Sequence, residues 1–175
     1  NADLANDLGN LAQRSLSMIA KNCQGRVPAP GALCEADRAL LERTEALLTT
    51  VRAAMDDLQI HLYVAEVFAV VAEANRYFAG EAPWTLRKSD PERMATVLWV
   101  TAETVRRSAI LLQPVMPDGA GRLLDALAVP QDARDFACLA ADRALAPGTP
   151  LPPPSPVFPR FAEAEEGAPA PDGAA

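Results

Sequence analysis

Apolar residues recur at three- and four-residue spacing from Asp3 to Asn22. Leu4, Leu8, Leu11, Ser15, Met18 and Ile19 form one stripe, which predicts an amphipathic helix. Gly25, Pro28, Pro30 and Gly31 interrupt the pattern as a loop. A second helix is predicted over 35–55, with Leu40, Leu41, Leu47, Leu48, Val51 and Met55 on its buried side. Glu35 and Asp37 fall in its first turn, where carboxylates suit the helix dipole. A third stretch, 58–78, is apolar almost all round through Ile60, Leu62, Val64, Val67, Phe68, Val70 and Val71. That pattern predicts the central helix of a bundle, with Gly80 as its expected terminator. Ser89-Asp90-Pro91-Glu92 is a start signal, with Asp90 as cap and Pro91 at the first helical position. The fourth helix carries Met94, Val97, Leu98, Thr101, Val105 and Leu112 inward and stops before Pro114. A short fifth, 118–127, presents Leu123, Leu124 and Leu127.

Beyond Pro130 the periodicity decays. Nine of the 16 prolines lie between Pro147 and Pro171, so this stretch is expected to be extended or disordered. Inside it, Val157-Phe158-Pro159-Arg160-Phe161 puts two aromatics and a cation together. No internal repeat is evident. The reading is an all-α antiparallel bundle of about five helices with a proline-rich C-terminal tail. It divides into a helical domain over 1–130, an extension packing back over 131–161 and a disordered acidic Ala/Pro tail over 162–175.

Composition fits this reading. Half of the residues are apolar and only 5% are aromatic, which favours helices on helices over a sheet. The net charge of −7 argues against a nucleic-acid partner, because backbone binding relies on clustered Lys and Arg. The charge is unevenly spread: residues 1–130 hold 16 acids and 13 bases, and the larger imbalance lies in the tail. The helical part can therefore carry a local basic patch. Cys23, Cys34 and Cys138 show no Cys-x-x-Cys spacing, so neither a disulfide framework nor a zinc site is expected, and the chain reads as reducing and cytoplasmic. No apolar run reaches membrane-spanning length. The chain opens on Asn1 within a helical pattern and is expected to be a piece of a longer protein.

Most enzyme signatures are missing: no G-x-x-x-x-G-K, G-x-S-x-G or H-E-x-x-H occurs. The single histidine, His61, reads as packed or solvent-edge, and pairs such as Asp56-Asp57 and Glu165-Glu166 as helix-end and tail charges. No catalytic residue is assigned. Two features carry other chemistry. Asn10 and Arg14, four apart on the first helix, lie on one flank of the stripe, and an amide beside a guanidinium can read base edges. A solvated helix face would show the same pair. Ala82-Pro83-Trp84, with Arg87 and Lys88 after it, falls in the predicted loop between two helices. A Trp held by a preceding Pro beside two cations can stack an unpaired base while the cations meet phosphate. A Trp covering the bundle end is the alternative. Trp99, inside the fourth helix, reads as core.

Several runs resemble, in order and spacing across about residues 1–161, the helical domain of bacterial methionyl-tRNA synthetases. They are Asn1 to Arg14, Asn75-Arg76-Tyr77-Phe78, Ala82-Pro83-Trp84-Thr85-Leu86, Leu112-Gln113-Pro114-Val115-Met116-Pro117 and Phe158-Pro159-Arg160. The residues after Arg160 match no pattern of the family. The resemblance implies binding of the CAU anticodon of methionine tRNA, with Asn10 and Arg14 bonding anticodon bases and Trp84 stacking on the first, a cytosine. Arg87 and Lys88 would meet phosphate, and Phe158 and Arg160 would tether this domain to an upstream catalytic domain. It further implies a parent enzyme that loads methionine onto tRNA using ATP with Mg. That enzyme's His-x-Gly-His and Lys-Met-Ser-Lys-Ser signatures, and any zinc, would precede Asn1, so no cofactor or metal is expected here. A dimerising domain found after this point in some members is lacking, so a monomer is expected. The alternatives are a helical docking module with a partner-binding proline-rich tail, or the same domain of a sibling enzyme such as the cysteine or leucine synthetase.

Overall fold

The computed structural model describes residues 3–158. Among them it is all-helical, with a single antiparallel bridge between Arg26 and Pro150. The first helical pattern splits in two. Asp3–Gly9 is wound as a π-helix and continues into α1, Asn10–Asn22. Asn75 Nδ2 donates to Asp7 O, within the π-helix, at 3.3 Å and to Val71 O at 3.1 Å. Leu8, Leu11, Ser15 and Ile19 are buried as the stripe predicts, while the side chain of Leu4 lies outside the described residues.

The remaining helices are α2 (Glu35–Asp56), α3 (Ile60–Glu81), α4 (Pro83–Ser89), α5 (Pro91–Leu112) and α6 (Pro117–Ala126). Asp90 caps α5 as expected, its carboxylate accepting from the Arg93 amide at 2.9 Å. Two expectations are corrected. Gly80 does not end α3; it lies within the last turn, and the stop is Ala82 followed by Pro83. The central helix is α5 rather than α3. Every residue from Val100 to Leu112 is buried, and α1, α2, α3, α4 and α6 all pack on α5. The start of α3 instead leaves Leu58, Ile60 and Leu62 exposed, and His61 is exposed beside them.

The centre of α5 is polar, and pairing makes its burial tolerable. Glu103, fully buried, accepts from Arg106 Nε at 2.8 Å, Arg107 Nε at 2.7 Å and the Leu145 amide at 3.0 Å. Arg106 donates onward to Cys138 O at 2.8 Å and Arg107 to Thr44 Oγ1 at 3.1 Å. The cluster thus joins α5 to α2 and to the segment after α6. That segment passes through three short 3-10 turns between Gln131 and Arg143, then runs extended beside the α1–α2 loop, where Val27 N donates to Thr149 O at 2.9 Å. Trp99 is half-buried under it, its indole N–H donating to Leu145 O at 3.0 Å.

Candidate nucleic-acid interface

The site is built where α3 ends. Pro83 has no N–H, so α3 cannot continue through it. Ala82 turns the chain in a left-handed conformation (φ 44°, ψ 56°), and Pro83 takes the first position of α4, where its missing donor costs nothing. The expected loop at Ala82-Pro83-Trp84 is therefore a sharp junction into a seven-residue helix, with Trp84 in the first turn. Pro83 is buried, whereas the Trp84 indole is 47% exposed.

Arg14 comes to this indole from α1. Its guanidinium carbon lies 5.3 Å from the Trp84 ring centroid and 5.0 Å from that of Phe78, both within cation–π range. The two rings are 6.0 Å apart and tilted by 58°. Phe78 is fully buried, so it forms a fixed floor beneath Arg14 and beside Trp84. Arg14 is exposed and pairs with no carboxylate among the described residues. Its N–H donors remain free for a ligand. Asn10 is exposed one turn earlier on α1, and its side chain forms no hydrogen bond to a described residue. Arg87 and Lys88 are exposed in the last turn of α4, on the same helix that carries Trp84, and form no ion pair among the described residues.

Arg14 and Trp84 thus share one surface, with Asn10 a turn away on the flank of α1. Phe158 is not part of it. It packs on α6, beyond the other end of α5, so close to Gly119 that a Cβ there would meet its Cε1 at 2.9 Å. Gly119→Ala should therefore unseat Phe158, read as faster proteolysis of the chain after Val157; unchanged proteolysis would contradict the packing. Arg160 lies outside the described residues. Among those residues no group of His, Cys, Asp and Glu could hold a metal, and no helix is long and apolar enough to cross a membrane.

Sequence reasoning missed two supports of the site. Phe78 belongs to the Asn75–Phe78 run, which carried the resemblance but was given no role. The second is a cluster around Asp37, which the sequence places in the first turn of α2 and which is fully buried. Asp37 accepts from Arg93 Nη2 at 2.9 Å, from the Tyr77 hydroxyl and from the Cys34 amide at 2.8 Å. Burial pushes this carboxyl up, but the bonds from Arg93, Tyr77 and Cys34 outweigh it and hold it at about 2, below its ordinary 3.8. Burial and the bond to Asp37 raise Tyr77, which stays a hydroxyl donor. A depressed carboxyl stabilises the fold above its unfolded pKa and loses that contribution as pH falls through the folded one. Between about pH 4 and 2 the unfolding free energy should drop by roughly 2 kcal/mol through Asp37. Urea titrations at several pH values check this, with Asp37→Asn expected to flatten that part of the curve.

The family model described as the anticodon binding domain of methionyl tRNA ligase matches residues 27–168. The methionine–tRNA ligase of Brucella suis biovar 1 is 64% identical over 166 residues, covering 95% of this chain and 32% of the relative. That of Mycobacterium tuberculosis strain H37Rv is 50% identical over 165 residues, covering 92% and 31%. The apo crystal structure of Mycobacterium tuberculosis methionyl-tRNA synthetase superposes with a TM-score of 0.90 at 49% identity, over 94% of this chain and 34% of that one. The same enzyme with methionyl-adenylate gives 0.88 at 51% identity, over 91% and 32%. The chain spans about a third of the length of the relatives it matches.

Proposed function

Because the chain belongs to the methionyl-tRNA ligase family as its anticodon-binding domain, we propose that it reads the CAU anticodon of methionine tRNA through Asn10, Arg14 and Trp84. The observation that carries this is the Arg14 guanidinium 5.3 Å from a half-exposed Trp84 indole, brought together from helices distant in sequence. A docking scaffold needs no open indole beside an unpaired guanidinium. Trp84 offers a face for the first anticodon base, the cytosine. Arg14, with its paired donors, and Asn10, with its donor and acceptor, meet base edges. Arg87 and Lys88 add charge for phosphate. With so few cations the affinity for arbitrary RNA is low and its salt dependence shallow.

In the same reading the parent enzyme attaches methionine to this tRNA using ATP with Mg, in the cytoplasm and as a monomer. The chemistry lies in an upstream catalytic domain. Residues 1–130 are the reading domain, 131–161 an extension whose Phe158 and Arg160 tether it to that catalytic domain, and 162–175 an acidic tail. The adenylate-bound mycobacterial relative supports an ATP-dependent step for that protein. A binding titration with RNA hairpins tests the reading. A CAU loop should bind more tightly than loops with one anticodon base changed, by about 1–3 kcal/mol per change, and Asn10→Ala and Arg14→Ala should shrink the difference. Equal binding of all loops would contradict it.

A further inference from the structure

The helix that carries Trp84 is too weak to hold itself. Isolated helices need roughly 12–15 residues to persist in water, and α4 has seven. Its cap, Ala82, has no side chain that could bond the first turn, and it sits in a left-handed conformation that a Cβ disfavours. Packing by Pro83 and Leu86 holds α4 against the bundle, and the Thr85 hydroxyl donates to Ala82 O at 2.8 Å. The Thr85 bond reaches back to the junction residue and the packing seats the inner face of α4, while the last residue of α3, Glu81, is held separately, from α5.

Arg93 reaches both ends of α4. Its backbone N–H donates to Asp90, the residue just after α4, at 2.9 Å. Its side chain donates to Glu81, the last residue of α3 and the neighbour of Ala82, from Nη2 at 2.7 Å and from Nε at 3.1 Å. The guanidinium is anchored from behind by Asp37, which is fully buried and further held by Tyr77 and Cys34. The anchor joins α2 to α5 and serves the fold as a whole. The arm to Glu81 is local, ending one residue before the junction.

Resting on the reading of Trp84 as the stacking residue, we propose that Arg93 is a positioning residue of the RNA site. Held by Asp37, it grips Glu81 and so sets the Ala82 junction from which Trp84 projects. Glu81 is the place to cut, because its loss releases the arm and leaves the Arg93–Asp37 anchor whole.

The test uses the full chain with Trp99→Phe, so that Trp84 is the sole indole, and reads three quantities. They are affinity for a CAU-loop RNA hairpin, acrylamide quenching of Trp84 and the melting temperature. Glu81→Ala should weaken hairpin binding about tenfold, within the range set by a misplaced stacking ring. It should also change the quenching of Trp84 and leave melting nearly unmoved. Glu81→Gln, which keeps an acceptor oxygen for Arg93, should restore most of the affinity and the quenching. If Glu81→Ala binds the hairpin as tightly as the parent, or more tightly as removal of a negative charge alone would cause, with quenching unaltered, the proposal is overturned. An unfolded Glu81→Ala also overturns it, since the arm would then be a determinant of the fold. Trp84→Ala in the same series separates the two readings. If it binds normally the RNA reading itself fails, and if it alone is weak only the positioning role fails.

Discussion

Glu103→Gln is expected to destabilise the chain by about 3–5 kcal/mol, the cost of removing one partner from a buried ion pair. The carboxylate is fully buried and the two guanidinium groups it serves, Arg106 and Arg107, are nearly so. Glutamine keeps the shape and one acceptor oxygen but drops the charge, which leaves two desolvated cations facing each other across a neutral amide. The damage extends beyond the pair. The same carboxylate accepts from the Leu145 amide, and its partners reach Cys138 O and Thr44 Oγ1. Loss of the charge therefore loosens the contact of α5 with α2 and with the segment after α6 together. Small domains have only about 5–15 kcal/mol in hand, so the variant should be partly unfolded at growth temperature. Urea unfolding followed by circular dichroism gives the number. A loss under about 1 kcal/mol would mean that the cluster is hydrated and not part of the core.

Trp84→Ala is expected to weaken binding of a CAU-loop hairpin by about 1–3 kcal/mol, the range for loss of one stacked base. Folding stability should change far less, because the indole is half-exposed and Pro83, not Trp84, fills the core beneath α4. Trp84→Phe should recover part of the affinity, since a smaller ring still offers a π-face. The effect on Arg14 is a second consequence. Without the indole its guanidinium keeps only Phe78 as a neighbouring ring, so the edge-reading donors are also less well held. That coupling predicts a smaller than additive loss when Arg14→Ala and Trp84→Ala are combined.

The long helices were legible because a 3.6-residue apolar period survives in α1, α2, α5 and α6, and because Asp90-Pro91 marks a start in side-chain chemistry alone. What was not legible had tertiary causes. Seven residues are too few for a period, so α4 read as loop; its helix exists because Ala82 and Pro83 break α3 and because Pro83 and Leu86 pack it on the bundle. Glu103, Arg106 and Arg107 lower the apolar character of α5 in sequence, which made the more apolar α3 read as central. Their spacing, three and four apart, was itself compatible with mutual pairing. The π winding of Asp3–Gly9 has no periodic signal, and Asp37 reads the same in sequence whether exposed or buried. At the site, the chemistry of Asn10, Arg14 and Trp84 could be read from residue types, and the family resemblance joined them. The contact of Arg14 with Phe78 and Trp84 spans more than sixty positions, which no local pattern reports.

In the proposed reading Trp84 stacks on the first anticodon base. In the chain carrying Trp99→Phe, the indole emission of Trp84 should be strongly quenched as a CAU-loop hairpin is added. A hairpin that lacks the base at the first anticodon position should bind more weakly and leave the emission largely intact. Saturable binding of the complete hairpin with Trp84 emission unchanged would contradict the account.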